Sequence, residues 1–154
     1  MPKYLKIVLL HCIPQHALSR LMYLLTRIEF KPFKNLLIRL FIHTFHVDMS
    51  IAERENPEDY KSFNVFFTRK LKKDARKQII DDDFILSPVD GAISQIGYIN
   101  KYQLLQAKNK NYTLEQLLGG DAGLADIFLN GCFATLYLSP RDYHRIHMPI
   151  TGRL

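Results

Sequence analysis

The chain of 154 residues carries 21 Lys and Arg against 15 Asp and Glu, a formal net charge of +6, and 47% of it is hydrophobic. That hydrophobic fraction excludes a disordered chain, and the length suits one domain with an appendage. No apolar run is long enough for a membrane-spanning helix, which needs roughly 18 residues or more.

The charge is unevenly placed. Residues 1–47 hold Lys3, Lys6, Arg20, Arg27, Lys31, Lys34 and Arg39 against the single acid Glu29, so the whole excess lies in the first third. The early apolar stretch Ile7–Leu10 is short for a signal peptide, and no small-residue cleavage site follows it. The chain is therefore expected to stay in the cytosol. Cys12 and Cys132 fit neither a disulfide framework nor a metal pair, and read as thiols of a reducing compartment.

Pro14 and Gln15 open the first periodic segment. Ala17, Leu18, Leu21, Met22, Leu24, Leu25 and Ile28 recur at helical spacing, with Arg20 and Arg27 opposite. A second helix starts near Pro32, a residue suited to a first turn. Its stripe is Phe33, Leu36, Leu37, Leu40, Phe41 and Thr44, with Lys34, Asn35 and Arg39 away from it. The two read as a basic amphipathic hairpin. Such helices either pack on the body of the protein or lie in a bilayer interface, where apolar burial and attraction to anionic lipid add. Nucleic acid is the weaker choice, because aromatic and basic residues do not interleave. His43 and His46 share a helix face, but no third ligand accompanies them, and a helix end favours histidine anyway. No metal is expected.

Residues 48–83 form a connector, with one short helix after Pro57. Phe63–Arg69 is aromatic-rich and predicts a buried helical turn. Residues 69–77 and the run Asp81, Asp82, Asp83 read as solvated charge. From Phe84 the texture turns to β. Phe84, Ile85 and Leu86 predict a short strand, Asp90-Gly91 a tight turn, and Ala92–Ile99 the returning strand. Thr113 and Gln116 form a capping-box pattern ahead of a helix at Leu114–Leu118, which Gly119-Gly120 ends. Asn130-Gly131 suggests another hairpin turn, and Cys132–Leu138 is the strongest strand pattern. The expected fold class is α+β: amphipathic helices in residues 1–47, the connector, then a β-rich body in residues 84–154.

Two places carry ionisable groups at rigid turns after or before strands. One is Asp90; the other is the pair His144 and His147, braced by Pro140 and Pro149. Asp-Gly is also an ordinary turn pair, and two loop histidines need share no task. Pro149 argues against a helix running through both, which disfavours a shared metal. An Asp orienting a His is the base half of a nucleophilic triad, with the nucleophile still to be found.

The run Leu138-Ser139-Pro140-Arg141-Asp142-Tyr143-His144-Arg145-Ile146-His147-Met148-Pro149 closely resembles the signature of bacterial phosphatidylserine decarboxylase proenzymes. Three further stretches agree in order: Phe63-Asn64-x-Phe66-Phe67-x-Arg69, then Pro88-x-Asp90-Gly91 with Ile93-Ser94, then Leu105-Gln106-Ala107-Lys108 leading to Tyr112-Thr113-Leu114. The resemblance implies removal of CO2 from phosphatidylserine to give phosphatidylethanolamine, with a pyruvoyl group made from the protein itself. In that family a Ser of a Leu-Gly-Ser-Thr motif attacks the preceding Gly carbonyl. The chain splits, and the former Ser becomes the pyruvoyl end of a small subunit. The resemblance assigns Asp90 and His147 to activating that Ser, and His144 to the decarboxylation step as proton donor. It also implies a peripheral protein on the cytoplasmic side of the cell membrane. Its partners would be the anionic lipid surface and the small subunit, with a homodimer allowed.

The sequence departs from that pattern in one respect. It contains no Gly-Ser pair, so the pyruvoyl-forming Ser is absent; the chain resembles the N-terminal half of a proenzyme, which implies a β-rich body incomplete at its C-terminal end. Alone it is expected to be inactive. Three readings follow: part of a lyase, a non-catalytic membrane-binding remnant of the same fold, and, more weakly, a metal hydrolase using Asp90, His144 and His147.

Overall fold

The computed structural model describes residues 14–76, 84–99, 105–107 and 110–152. They form two compact units. One holds the described residues up to Pro88 together with those from Pro140 onward; the other is Val89–Ser139.

The first unit begins with helix α1 (Gln15–Leu25) and helix α2 (Lys31–Phe45). Helix α1 is rich in Leu and Met and ends at Thr26, whose hydroxyl donates back to the Met22 carbonyl at 2.8 Å. Pro32 lies in the first turn of α2, where its missing N–H costs nothing. At the other end, His46 takes a left-handed conformation (φ 54°) and its N–H closes on the Ile42 carbonyl. A 3-10 turn at Pro57–Asp59 follows, capped by Asn56, and then helix α3 (Phe63–Phe67), capped by the Ser62 hydroxyl. The short helix after Pro57 and the buried aromatic turn are therefore present.

The core of this unit is Ile38, Val47, Tyr60 and Phe66, surrounded by Phe41, Ile42, Met49 and Phe63. Phe66 receives Tyr60 and Phe41 edge-on, at 5.6 and 5.9 Å between ring centroids. Such edge-to-face pairs add to burial. Helix α2 turns an unexpected side inward. Ile38 is fully buried, and Lys34 is buried beside it, its Nζ donating to the Glu58 carbonyl and to Asn35 Oδ1. Arg39 pairs with the Glu58 carboxylate. The basic side of α2 thus ties the helix to the 3-10 turn. The apolar stripe is divided: Phe41 packs against the core, while Leu36 is 68% and Leu40 59% exposed. Helix α1 does not pack as half of a hairpin. Leu18, Leu21, Met22, Tyr23 and Leu24 are all exposed.

The charge run is not uniformly solvated either. Arg69, its first member, is 2% exposed. Lys72, by contrast, makes an exposed ion pair with Glu55. Asp81, Asp82 and Asp83 lie outside the described residues, as do Cys12 and Ile7–Leu10. Phe84, Ile85 and Leu86 form no strand, and Phe84 and Ile85 are exposed. The Leu86 N–H donates to the Pro149 carbonyl at 3.2 Å.

In the second unit, β1 (Ala92–Tyr98) pairs antiparallel with β4 (Cys132–Tyr137), Ala92 opposite Tyr137 and Tyr98 opposite Cys132, with an irregularity between Ile93 and Gln95. The Asp90-Gly91 bend therefore opens a long-range pair and joins no local hairpin. A Cβ on Gly91 would sit 2.6 Å from the Tyr137 carbonyl oxygen, which is why glycine stands there. A small hairpin of β2 (Leu105–Ala107) and β3 (Lys110–Tyr112) was not foreseen from the mixed sequence. Helix α4 (Leu114–Leu117) has the expected capping box in both directions, Thr113 to Gln116 at 3.1 Å each way. Gly119 and Gly120 leave it with positive φ. Helix α5 (Ala122–Ile127), capped by Asp121, leads to Asn130, also at positive φ, so Asn130-Gly131 is a helix-to-strand turn. Ile93, Ile96, Tyr98 and Tyr137 are exposed on the two-stranded sheet. No helix among the described residues is long and apolar enough to cross a membrane.

Candidate active site

Residues 140–149 have no regular secondary structure, so side chains and single backbone bonds must fix them. Helix α3 supplies two clasps from its C-terminal end. Arg69 Nη2 donates to the Arg141 carbonyl at 3.0 Å, and Arg145 Nε donates to the Thr68 carbonyl at 2.8 Å. The pair is reciprocal: each segment contributes one guanidinium and one carbonyl. On the other flank, His147 N–H donates to the Pro88 carbonyl at 2.8 Å, next to the Leu86–Pro149 bond. Tyr143, within the loop, is itself buried. A loop held at both flanks gives its histidines defined positions.

His144 is half-buried, its ring tilted on Phe67 with centroids 4.1 Å apart. Its Nδ1 lies 2.9 Å from the Asp142 carbonyl oxygen. A carbonyl only accepts, so Nδ1 carries the hydrogen and Nε2 holds the lone pair of the neutral ring. Nε2 is then the atom that takes up and hands over a proton. His147 is exposed and stacks on Tyr143, whose hydroxyl is 2.8 Å from His147 Nε2. The two histidines share a loop but not a partner. Asp90 is half-buried in the bend that opens β1, in the second unit, and its backbone is fixed by the close approach of Gly91 to Tyr137.

Among the described residues, no group of three His, Cys, Asp or Glu side chains could hold a metal ion. Cys132 is an exposed free thiol on β4. Four residues complete the site without a role legible in the sequence: Phe67, Arg69, Tyr143 and Arg145. Phe67 and Arg69 stand in the aromatic motif of α3, and the other two flank the histidines, so the signal was there as motif membership without a task.

A family model described as phosphatidylserine decarboxylase matches residues 63–154, and one described as PSD matches residues 5–46. The phosphatidylserine decarboxylase proenzyme of Alkalilimnicola ehrlichii is 54% identical over 151 residues, covering 98% of this chain and 52% of the relative. The proenzyme of the same name from Alcanivorax borkumensis is 51% identical, over 96% of this chain and 51% of its own length. That of Nitrosococcus oceani is 52% identical, over 94% and 47%. The chain spans about half the length of the curated relatives it matches.

Proposed function

Because the chain belongs to the phosphatidylserine decarboxylase family, we propose that it forms the docking and histidine-bearing part of an enzyme converting phosphatidylserine to phosphatidylethanolamine and CO2. The observation that carries the reading is the orientation of His144. Its Nδ1–H is committed to the Asp142 carbonyl, so proton transfer is confined to Nε2. Loss of CO2 leaves a carbon that must be protonated, and a histidine with one defined basic nitrogen suits that task near neutral pH.

The residues present fit a pyruvoyl group as its complement and not as its source. They offer a proton-moving imidazole on a fixed loop, and the sequence has no Gly-Ser pair from which the group could form. When bound, a pyruvoyl group would supply the electron sink that loss of CO2 requires. His144 would deliver the proton from Nε2, and Phe67 would keep its ring in place.

His147 is assigned to the earlier step, as the base that takes the proton from a serine hydroxyl, and Asp90 to orienting its ring. A triad histidine needs one nitrogen for the carboxylate and one for the hydroxyl. Tyr143 occupies Nε2 here. Asp90 is therefore assigned to Nδ1, and serine activation at Nε2 requires the Tyr143 hydroxyl to yield its place. The small pyruvoyl-bearing subunit is the proposed partner of the second unit, where Ile93, Ile96, Tyr98 and Tyr137 are exposed and each strand of the described two-stranded sheet has an open edge. A second copy of the chain is the further partner proposed.

Docking is assigned to α1 and α2 in residues 1–47. Their outward Leu, Met and Phe side chains would enter the interface of an anionic membrane, peripherally and from the cytoplasmic side, while exposed Arg20, Arg27 and Lys31 each contribute on the order of 1 kcal/mol of attraction. Lys34 and Arg39 are left out of that set, because they hold α2 to the protein.

The experiment is reconstitution. The chain is co-expressed with the C-terminal half of the Alkalilimnicola ehrlichii relative carrying its serine, and phosphatidylethanolamine formation is measured. Turnover that depends on both pieces supports the reading. A complex that forms and turns nothing over contradicts it.

A further inference from the structure

Beside the clasp between α3 and the histidine loop, the first unit contains a cavity of about 140 Å³ lined by Glu53, Arg54, Tyr60, Val65, Arg69, Lys70 and Arg145. Four of these side chains are cationic and one is a carboxylate. The floor is built: Tyr60 is 3% exposed and Arg69 2%, while Glu53, Arg54 and Lys70 form an exposed rim. We propose that this cavity binds a phosphate-type oxyanion.

The three guanidinium groups are oriented before any ligand arrives. Arg54 Nη1 donates to the Asp59 carbonyl at 3.3 Å, Arg69 Nη2 to the Arg141 carbonyl at 3.0 Å, and Arg145 Nε to the Thr68 carbonyl at 2.8 Å. Bonds to carbonyls fix direction and leave the positive charge on each guanidinium. The Tyr60 hydroxyl donates to the Arg54 carbonyl at 2.6 Å and pins that backbone, and the Arg69 guanidinium lies over the Phe66 ring at 5.5 Å. Like charges gathered in one cavity repel, and an anion between them relieves that cost. Planar guanidinium forks match the oxygens of phosphate, and Lys70 adds a movable charge at the mouth. A water molecule's share of volume is roughly 30 Å³. The cavity therefore has room for a tetrahedral oxyanion. The chemistry is that of a free phosphate or of the phosphodiester in a lipid head group. The inference concerns binding alone and stands apart from decarboxylation.

The test is equilibrium dialysis of the full chain against radiolabelled inorganic phosphate and, separately, against dihexanoyl phosphatidylserine below its micelle concentration, where the docking helices meet no bilayer. Saturable binding of one equivalent is expected, weakened tenfold or more in R54Q/K70Q. Both altered residues are exposed, and a thermal melt checks the fold; R54Q and K70Q singly serve where the double variant does not fold. Binding of phosphate alone identifies a soluble ligand, and tighter binding of the short lipid identifies a head group. Saturable binding of neither probe, or equal affinity in wild type and folded variants, overturns the proposal.

Discussion

Replacing Leu36 and Leu40 by serine separates membrane docking from folding. The two side chains are 68% and 59% exposed on the outward stripe of α2, while Ile38, between them in sequence, is fully buried. Burying an exposed Leu completely is worth roughly 1.5–3 kcal/mol. Scaled by the exposed fraction, each Leu contributes about 1–2 kcal/mol on entering a bilayer interface, and the pair about 2–4 kcal/mol. At about 1.4 kcal/mol per factor of ten, L36S/L40S is expected to weaken partitioning by about 30-fold or more. The same change leaves the folded state within about 0.5 kcal/mol per site, since surface substitutions cost little. I38A behaves in the opposite way and loses about 2–5 kcal/mol of stability through the cavity it leaves. The assay is co-sedimentation with phosphatidylserine-containing vesicles, run beside thermal melts. Wild-type pelleting of L36S/L40S would refute the assignment of this stripe to the membrane.

Three further outcomes follow from the geometry. Y143F removes the hydroxyl from His147 Nε2 and is expected to speed self-cleavage of a completed proenzyme on a timed gel; abolished cleavage would make Tyr143 a necessary partner instead. G91A forces a Cβ against the Tyr137 carbonyl at 2.6 Å and is expected to cost about 1–3 kcal/mol and to displace Asp90, lowering both the melting temperature and the cleavage rate; an unchanged melt would contradict the close packing. Burial raises the pKa of Tyr60, partly offset by Arg69 and Arg54. Its neutral form is favoured in the fold, so this contribution is complete below the ordinary tyrosine value of about 10 and is lost as pH rises through the folded value. Y60F should therefore lose stability less steeply than wild type in alkaline melts, and parallel curves would sink the assignment.

Much of the local structure was legible in the sequence, because it rests on near neighbours. Periodicity marked α1 and α2, and the Thr113–Gln116 pattern marked a capping box that forms as written. Asp90-Gly91 was legible as a turn but not as the opening of a strand whose partner begins 40 residues later, at Cys132. Periodicity also named the apolar stripe of α2 without telling which side the protein covers. Lys34 and Arg39 look like lipid-facing charges until Glu58 is seen to hold them. The candidate site shows the same division. The histidines were visible as residue types, but the tautomer of His144 depends on one carbonyl, and the clasp joins Arg69 to Arg141 and Thr68 to Arg145 across more than seventy residues.

The most direct measurement is CO2 release from carboxyl-labelled phosphatidylserine by the chain reconstituted with a serine-bearing C-terminal half, wild type against H144A, with cleavage of the completed proenzyme followed on a gel. The account predicts that H144A is cleaved as wild type is and releases almost no CO2. Undiminished release by H144A would contradict it.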